Sequence, residues 1–340
     1  MRPEGDAPIG PRLEEIERAT NALAHRIIKT PVVSLSSDRV SAALPEGATV
    51  TMKLELFQQV GSFKARGALL SVDRLEVTER KSGVVAVSAG NHALAVSWAA
   101  AKEGVSTKVV MPKTADPIRV QGCEALGAKV VLVEDIHTAF VEMDRIKEHE
   151  GRVAIHPFEG EMMTLGAATC GLEFILQAPD LDAIVVPVGG GGLLSGIASA
   201  VKQVSPDCTV YGVEPVGAAV LARSLEAGKP TTLDHVNTIA DSLGSPVSLP
   251  YSFSVAQANV DEMVRVDDNE MLTSMVLLYD ALKLASEPAC AAATAAVCGP
   301  LRSRLAGQRV GLVACGSNIA EQRMADLIVE GRSIFAARKS

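Results

Sequence analysis

The sequence predicts an α/β protein whose parallel strands are covered by helices, and three observations carry that prediction. Short, valine-rich apolar runs alternate with segments of helical period from about residue 50 to residue 314. Turns rich in glycine and serine follow several of these runs, where strands hand over to helices. The chain has 340 residues, 48% of them apolar, enough to bury about three quarters of its unfolded surface. Only 3% are aromatic, so alanine and the branched aliphatics must fill the core.

The elements follow in order. A polar lead precedes an amphipathic helix over Pro11 to Ile28, with Ile16, Ala19, Leu23 and Ile27 at helical spacing. Lys29-Thr30-Pro31 ends it. Val50 to Glu55 reads as a strand, and a helix over Ala68 to Val72 follows Lys64. Gly83 to Val87 is a continuous apolar strand, followed by a helix over Ala93 to Lys102. Strand Thr107 to Met111, a helix near Ile118 to Leu126, strand Lys129 to Val133 and a helix near Thr138 to His149 continue the alternation. It resumes with helix Gly166 to Gln177, strand Ala183 to Val188 and a helix from Leu193. Strand Thr209 to Val213 and helix Ala218 to Ala227 lead into a polar stretch. Helices Asn269 to Leu284 and Ala289 to Leu301 and strand Gln308 to Ala314 complete the pattern. No internal repeat or low-complexity linker marks a domain boundary.

Bulk properties exclude several function classes. The net charge of −8 is spread along the chain, and no basic patch with interleaved aromatics points to nucleic acid. Met1 to Gly10 lacks the basic and apolar blocks of a signal peptide. No run of about 18 apolar residues could span a bilayer. The six cysteines (Cys123, Cys170, Cys208, Cys290, Cys298 and Cys315) form no C-x-x-C pair, and several lie in apolar segments. A reducing, cytoplasmic protein without structural disulfides is expected.

Four segments carry chemistry. Lys64 sits among small and aromatic residues in Gly61-Ser62-Phe63-Lys64-Ala65-Arg66-Gly67-Ala68. A lone lysine is ordinarily a hydrated surface charge, whereas a desolvated one is a nucleophile toward carbonyls. Gly189-Gly190-Gly191-Gly192 lies between a strand and the helix opening at Leu193. Four glycines exceed what a tight turn needs and let backbone N–H groups close on an anion at a helix start. A dinucleotide also uses such turns, and Glu214 falls at roughly the spacing of its ribose-binding acid. Ser88-Ala89-Gly90-Asn91-His92 likewise joins a strand to a helix. Its N–H groups can face a carboxylate and Asn91 can offer an amide to an oxygen, although Asn91 alone would read as a helix N-cap. Cys315, in Val313-Ala314-Cys315-Gly316-Ser317-Asn318, falls at the C-terminal end of the last strand, where ligands bind in open α/β sheets. Taken alone it reads equally as a buried structural thiol.

Together these segments resemble the serine/threonine dehydratases, which are fold-type II pyridoxal-phosphate enzymes of the tryptophan synthase beta-like superfamily. The lysine segment matches that family's Ser-Phe-Lys-x-Arg-Gly-Ala. Met111-Pro112, Leu126-Gly127-Ala128, His156-Pro157-Phe158, Gly212-Val213-Glu214-Pro215, Thr238-Ile239-Ala240-Asp241 and Glu287-Pro288-Ala289 extend the likeness over nearly the whole chain. The resemblance implies two open, twisted, mainly parallel sheets flanked by helices. It implies a large domain of residues 1–50 plus 156–340, a small domain of 51–155, and a homodimer. It makes Lys64 the Schiff-base residue and catalytic base. It places Phe63, Lys64, Asn91, Gly189, Gly190, Gly191, Gly192, Leu193 and Cys315 around pyridoxal phosphate, with Cys315 facing the ring nitrogen and Asn91 the 3′-oxygen. Ser88, Ala89, Gly90, Asn91 and His92 would hold the carboxylate of an amino acid substrate.

Within the family, Gly90-Asn91-His92-Ala93 looks like the dehydratase branch, whereas β-replacement synthases carry Gly-Asn-Thr-Gly there. Ala89 stands where racemases carry a proton-donating serine, so weak or absent racemisation is expected. The default substrates are L-threonine and L-serine, converted to a 2-oxo acid and ammonia. The alternatives are 3-hydroxyaspartate, a hydroxyectoine-pathway intermediate, β-replacement, or, in another class, a nucleotide-binding oxidoreductase. The sequence departs from the family at Ala167-Ala168 and at Ser242, which would lie near the cofactor ring. Val220 stands where some members place a cation-binding aspartate, so no metal is expected beside Glu214. No isoleucine-type regulatory domain is expected after the last motif.

Overall fold

The computed structural model describes residues 9–337, so residues 1–8 of the polar lead lie outside the described residues. Among the described residues, ten strands form two sheets. They are β1 (Val32–Ser34), β2 (Thr49–Lys53), β3 (Val84–Val87), β4 (Thr107–Pro112), β5 (Lys129–Val133), β6 (Val153–Ala154), β7 (Ala183–Pro187), β8 (Thr209–Pro215), β9 (Glu262–Val266) and β10 (Arg309–Val313). The larger sheet has the order β1-β2-β10-β7-β8-β9 and the smaller β5-β4-β3-β6. Every pairing is parallel except β1 with β2. Strands buried on both faces need apolar residues at every position. β3 (Val-Val-Ala-Val) and β7 (Ala-Ile-Val-Val-Pro) are buried throughout, which is why the β3 segment reads as a continuous apolar run. The expected boundary at residue 51 falls inside β2, which pairs with β10 of the larger sheet.

Several expectations are corrected. The first helix covers Leu13–Leu23 and stops short of Ile28, because His25 takes a left-handed backbone (φ 63°). The strand expected over Val50 to Glu55 is β2, which ends at Lys53, and Glu55–Phe57 forms a 3₁₀ turn. The helix expected from Gly166 begins at Glu161. The polar stretch holds a Pro250–Asn259 helix and β9, and a Glu321–Ala337 helix follows the last strand.

A buried ionic group fixes the start of the Lys64–Asp73 helix. Arg66 donates twice to Glu55, from Nε at 2.8 Å and from Nη2 at 2.7 Å, and its Nη2 lies 3.2 Å from Glu173. Lys53 pairs with Glu173 and donates to the Thr30 carbonyl at 2.8 Å. Two cations and two carboxylates thus compensate one another away from water, so removing any one would strand a buried charge. No helix among the described residues is long and apolar enough to cross a membrane.

Candidate active site

The C-terminal ends of β3, β7 and β10 face one cavity of about 290 Å³. Phe63, Lys64, Ser88, Ala89, Gly90, Asn91, His92, Gly189, Gly190, Gly191, Gly192, Leu193 and Cys315 all line it. The four segments picked out in sequence therefore meet, although they span residues 63 to 315.

Lys64 opens its helix from a loop tied to the extension of β10. Leu56 N–H donates to the Ala314 carbonyl (2.9 Å), Phe63 N–H to that of Cys315 (3.3 Å), and Ser317 N–H to that of Gly61 (3.0 Å). The Lys64 ammonium donates to the Pro157 carbonyl and stands 5.0 Å from the Phe63 ring centre. Burial, which outweighs the nearby Cys315 and Glu287, lowers its pKa from 10.5 to about 8. A sizeable neutral fraction near that pH makes it a base and nucleophile. The Cys315 thiol is buried and burial pushes its pKa well up, so it stays neutral.

The glycine turn precedes the Gly192–Val204 helix. Its first intrahelical bond is from Ser195 N–H to the Gly191 carbonyl (2.9 Å), which leaves the N–H groups of Gly192, Leu193 and Leu194 without intrahelical partners. A Cβ on Gly190 would lie 2.3 Å from the Phe158 ring, so only glycine admits that ring. Glu159 anchors the Phe158 loop by capping the Pro250–Asn259 helix, accepting from Tyr251 N–H (2.7 Å), Ser252 N–H (3.1 Å) and Ser252 Oγ (2.7 Å).

Asn91 is the first residue of the Asn91–Lys102 helix, and Gly90 is its N-cap. Asn91 Nδ2 donates to Glu287 Oε1 (2.8 Å), and its Oδ1 accepts from Asn318 Nδ2 (2.6 Å). His92 Nε2 lies 2.8 Å from the Ile155 carbonyl. A carbonyl only accepts, so Nε2 carries the proton and the buried Nδ1 is left without a partner. Burial lowers the His92 pKa to about 3, and the ring is neutral.

Sequence reasoning gave no role to Glu287, Arg119 or Asn318. Glu287 is buried, and burial raises its pKa to about 7. Its position before a proline at a helix start reads as an ordinary cap. Arg119 donates to the carbonyls of Ala89 (3.1 Å) and Asn318 (2.8 Å), joining the loops after β3 and β10. Ile136 and Phe140, one turn apart on the Ile136–Glu150 helix, line the same cavity with Pro157, Phe158, Leu243 and Pro246. The apolar character of Ile136 and Phe140 gave no sign of a site. Glu214 lies elsewhere: both its oxygens accept backbone N–H groups, from Leu221 (2.8 Å) and Ala222 (2.9 Å).

The donor set therefore offers an amine with lowered basicity, free N–H groups at a helix start, a primary amide and a neutral thiol. It suits a ligand with an aldehyde, a phosphate, an anionic ring oxygen and a ring nitrogen. The comparisons agree with that chemistry. The family described as pyridoxal-phosphate-dependent enzyme matches residues 23–316. A phenylserine dehydratase of Ralstonia pickettii is 47% identical over 308 residues, covering 91% of this chain and 93% of the relative. An L-threonine ammonia-lyase of Thermotoga maritima is 35% identical over 330 residues, covering 96% and 80%. Among solved structures, the processed form of threonine deaminase isoform 2 from Solanum lycopersicum superposes with a TM-score of 0.86 at 30% identity, covering 95% of each chain.

Proposed function

The chain belongs to the fold-type II pyridoxal-phosphate-dependent enzymes, and within that family we propose a dehydratase of β-aryl-β-hydroxy amino acids. It would convert phenylserine to a 2-oxo acid and ammonia. The family and its cofactor are shown by the comparisons, as is dehydration of hydroxy amino acids as the reaction class. The observation that carries the aryl reading is the apolar lining that Ile136, Phe140, Phe158, Leu243 and Pro246 give the cavity. A phenyl ring would cover that lining, whereas the methyl group of threonine would leave most of it wet. The 47% identity to a phenylserine dehydratase supports the same choice.

Pyridoxal phosphate supplies the electron sink that stabilises charge at the substrate Cα. In this reading Lys64 holds the cofactor, the N–H groups of Gly192, Leu193 and Leu194 receive its phosphate, Asn91 meets its ring oxygen and Cys315 its ring nitrogen. The residues themselves do the following. The N-terminal N–H groups of the Asn91–Lys102 helix, with the Ser88 to Gly90 loop, take the substrate carboxylate. Lys64, released as a neutral amine, removes the Cα proton. The β-hydroxyl takes up a proton and leaves as water, and the proton that Lys64 took from Cα balances it. After release, one water replaces the nitrogen, giving the 2-oxo acid and ammonia. Ala89 offers no proton on the opposite face, so net racemisation is not part of the proposal.

The test is the product and rate with L-phenylserine, L-threonine, L-serine and L-threo-3-hydroxyaspartate, with Lys64→Ala as control. Phenylserine should give a 2-oxo acid and ammonia with kcat/KM at least about tenfold above threonine, the discrimination an apolar pocket can supply. Turnover should vanish in Lys64→Ala. Preference for threonine, serine or hydroxyaspartate would overturn the aryl assignment, and benzaldehyde plus glycine would replace dehydration by C–C cleavage.

A further inference from the structure

Val60 is a β-branched residue in the left-handed region (φ 51°, ψ 29°), four residues before Lys64. Such a residue is a backbone outlier and is held there only by its surroundings. The turn aims the Val60 carbonyl at Asn318, whose Nδ2 donates to it at 2.7 Å. The same Nδ2 donates to Asn91 Oδ1 at 2.6 Å. Asn91 Nδ2 in turn donates to Glu287 Oε1 at 2.8 Å and lies 3.4 Å from Ser242 Oγ.

The polarity of this chain is set at its first link. A backbone carbonyl can only accept, so Asn318 must present its NH₂ end toward Val60 and Asn91. Asn91 must then present its oxygen to Asn318 and its NH₂ end to Glu287 and the cavity. Two glycines make room for the chain. A Cβ on Gly61 would lie 2.8 Å from Asn318 Oδ1, and one on Gly316 would lie 2.6 Å from Glu287 Oε1 and 3.0 Å from Asn91 Nδ2. Arg119 holds the Asn318 carbonyl from the other side at 2.8 Å.

We propose that Asn318, oriented by the strained turn at Val60, is a positioning residue that fixes the Asn91 amide with its N–H edge toward the cofactor's ring oxygen. The inference rests on the role given to Asn91 above. Without the Asn318 donor the amide could turn its carbonyl oxygen toward an anionic ring oxygen, which is repulsive. The relay removes that alternative and keeps the ring oxygen anionic. A phenolate-type oxygen absorbs at longer wavelength than its protonated form, so the relay has an optical readout.

The experiment compares the visible absorption of the pyridoxal-phosphate holoenzyme, from pH 6 to 9, in wild type, Asn91→Ala, Asn318→Asp and Asn318→Ala, with Tm, kcat and KM for each. Asn91→Ala should move intensity from the long- to the short-wavelength band. Asn318→Asp, which turns an acceptor toward Asn91 Oδ1, should move it the same way and lower kcat about tenfold, with KM changed less than about threefold, as loss of one buried hydrogen bond implies. Should Asn318→Asp fail to fold, Asn318→Ala removes the same bond without adding charge and carries the same expectation. A band moved only by Asn91→Ala, with Tm lowered in the Asn318 variants, makes Asn318 structural and overturns the proposal. A band unmoved in all three removes the role of Asn91 itself, and the proposal with it.

Discussion

Phe140 ties the Ile136–Glu150 helix to the cavity, its ring stacked 6.4 Å from that of His156. Truncation to alanine takes away much of the apolar lining and leaves the Ser88 to Gly90 loop and Lys64 in place. If the lining receives an aryl group, Phe140→Ala should lower kcat/KM for phenylserine about tenfold, the scale of about 1.4 kcal/mol of lost burial. Turnover of threonine should change less than about threefold. Steady-state kinetics on the two substrates decide this, and equal losses on both would place Phe140 in the scaffold alone. At this scale sequence read Lys64, the glycine turn, Asn91 and Cys315, because each sits in a contiguous motif whose composition is unusual. Glu287, Arg119 and Asn318 carried no role in sequence, because each acts through contacts to residues at least 30 positions away. A helix-start glutamate, a helical arginine and a loop asparagine are ordinary residues in sequence.

The helices that carry those side chains meet through small residues. A Cβ on Gly166 would lie 2.3 Å from Gly67 N, so the Glu161–Gln177 helix touches the backbone of the Lys64–Asp73 helix. Gly166→Ala should push the two apart, costing about 2–3 kcal/mol as overpacking does and displacing Lys64. Urea unfolding and the visible absorbance of the loaded protein measure both effects, and unchanged stability with full cofactor loading would contradict the argument. The sequence pattern reached most elements because buried parallel strands must be apolar at every position, as β3 and β7 are. It missed elements whose burial is not periodic. β1 is three residues long, partly exposed and paired antiparallel at the sheet edge. β9 (Glu-Met-Val-Arg-Val) carries charges at an edge, and the Pro250–Asn259 helix hides in a polar stretch. The Glu321–Ala337 helix buries only Leu327 and Gly331, too few for a stripe.

Across the molecule, burial shifts two carboxyls and two imidazoles in ways that oppose one another. Glu214 and Glu287 are raised from 4.5 to about 7. Each holds more protons folded than unfolded between those values, so its contribution is full below pH 4.5 and is lost as pH rises through 7. His92 and His156 are lowered from 6.5 to about 3 and about 4. They bind more protons unfolded, so their contribution is present above pH 6.5 and is lost as pH falls. Between about pH 4.5 and 6.5 the two pairs largely cancel, and the wild-type stability curve should be shallow there. Glu287→Gln removes one of the two carboxyls from that balance while keeping an acceptor for Asn91 Nδ2. Relative to wild type, the variant should gain about 3 kcal/mol of stability between pH 4.5 and pH 8, the free-energy equivalent of the Glu287 shift. Urea titrations of both proteins across that range test the sign. Parallel curves would mean that Glu287 is ionised in the folded protein already at pH 5. The Asn91 amide would then face a full carboxylate at every pH at which the enzyme works.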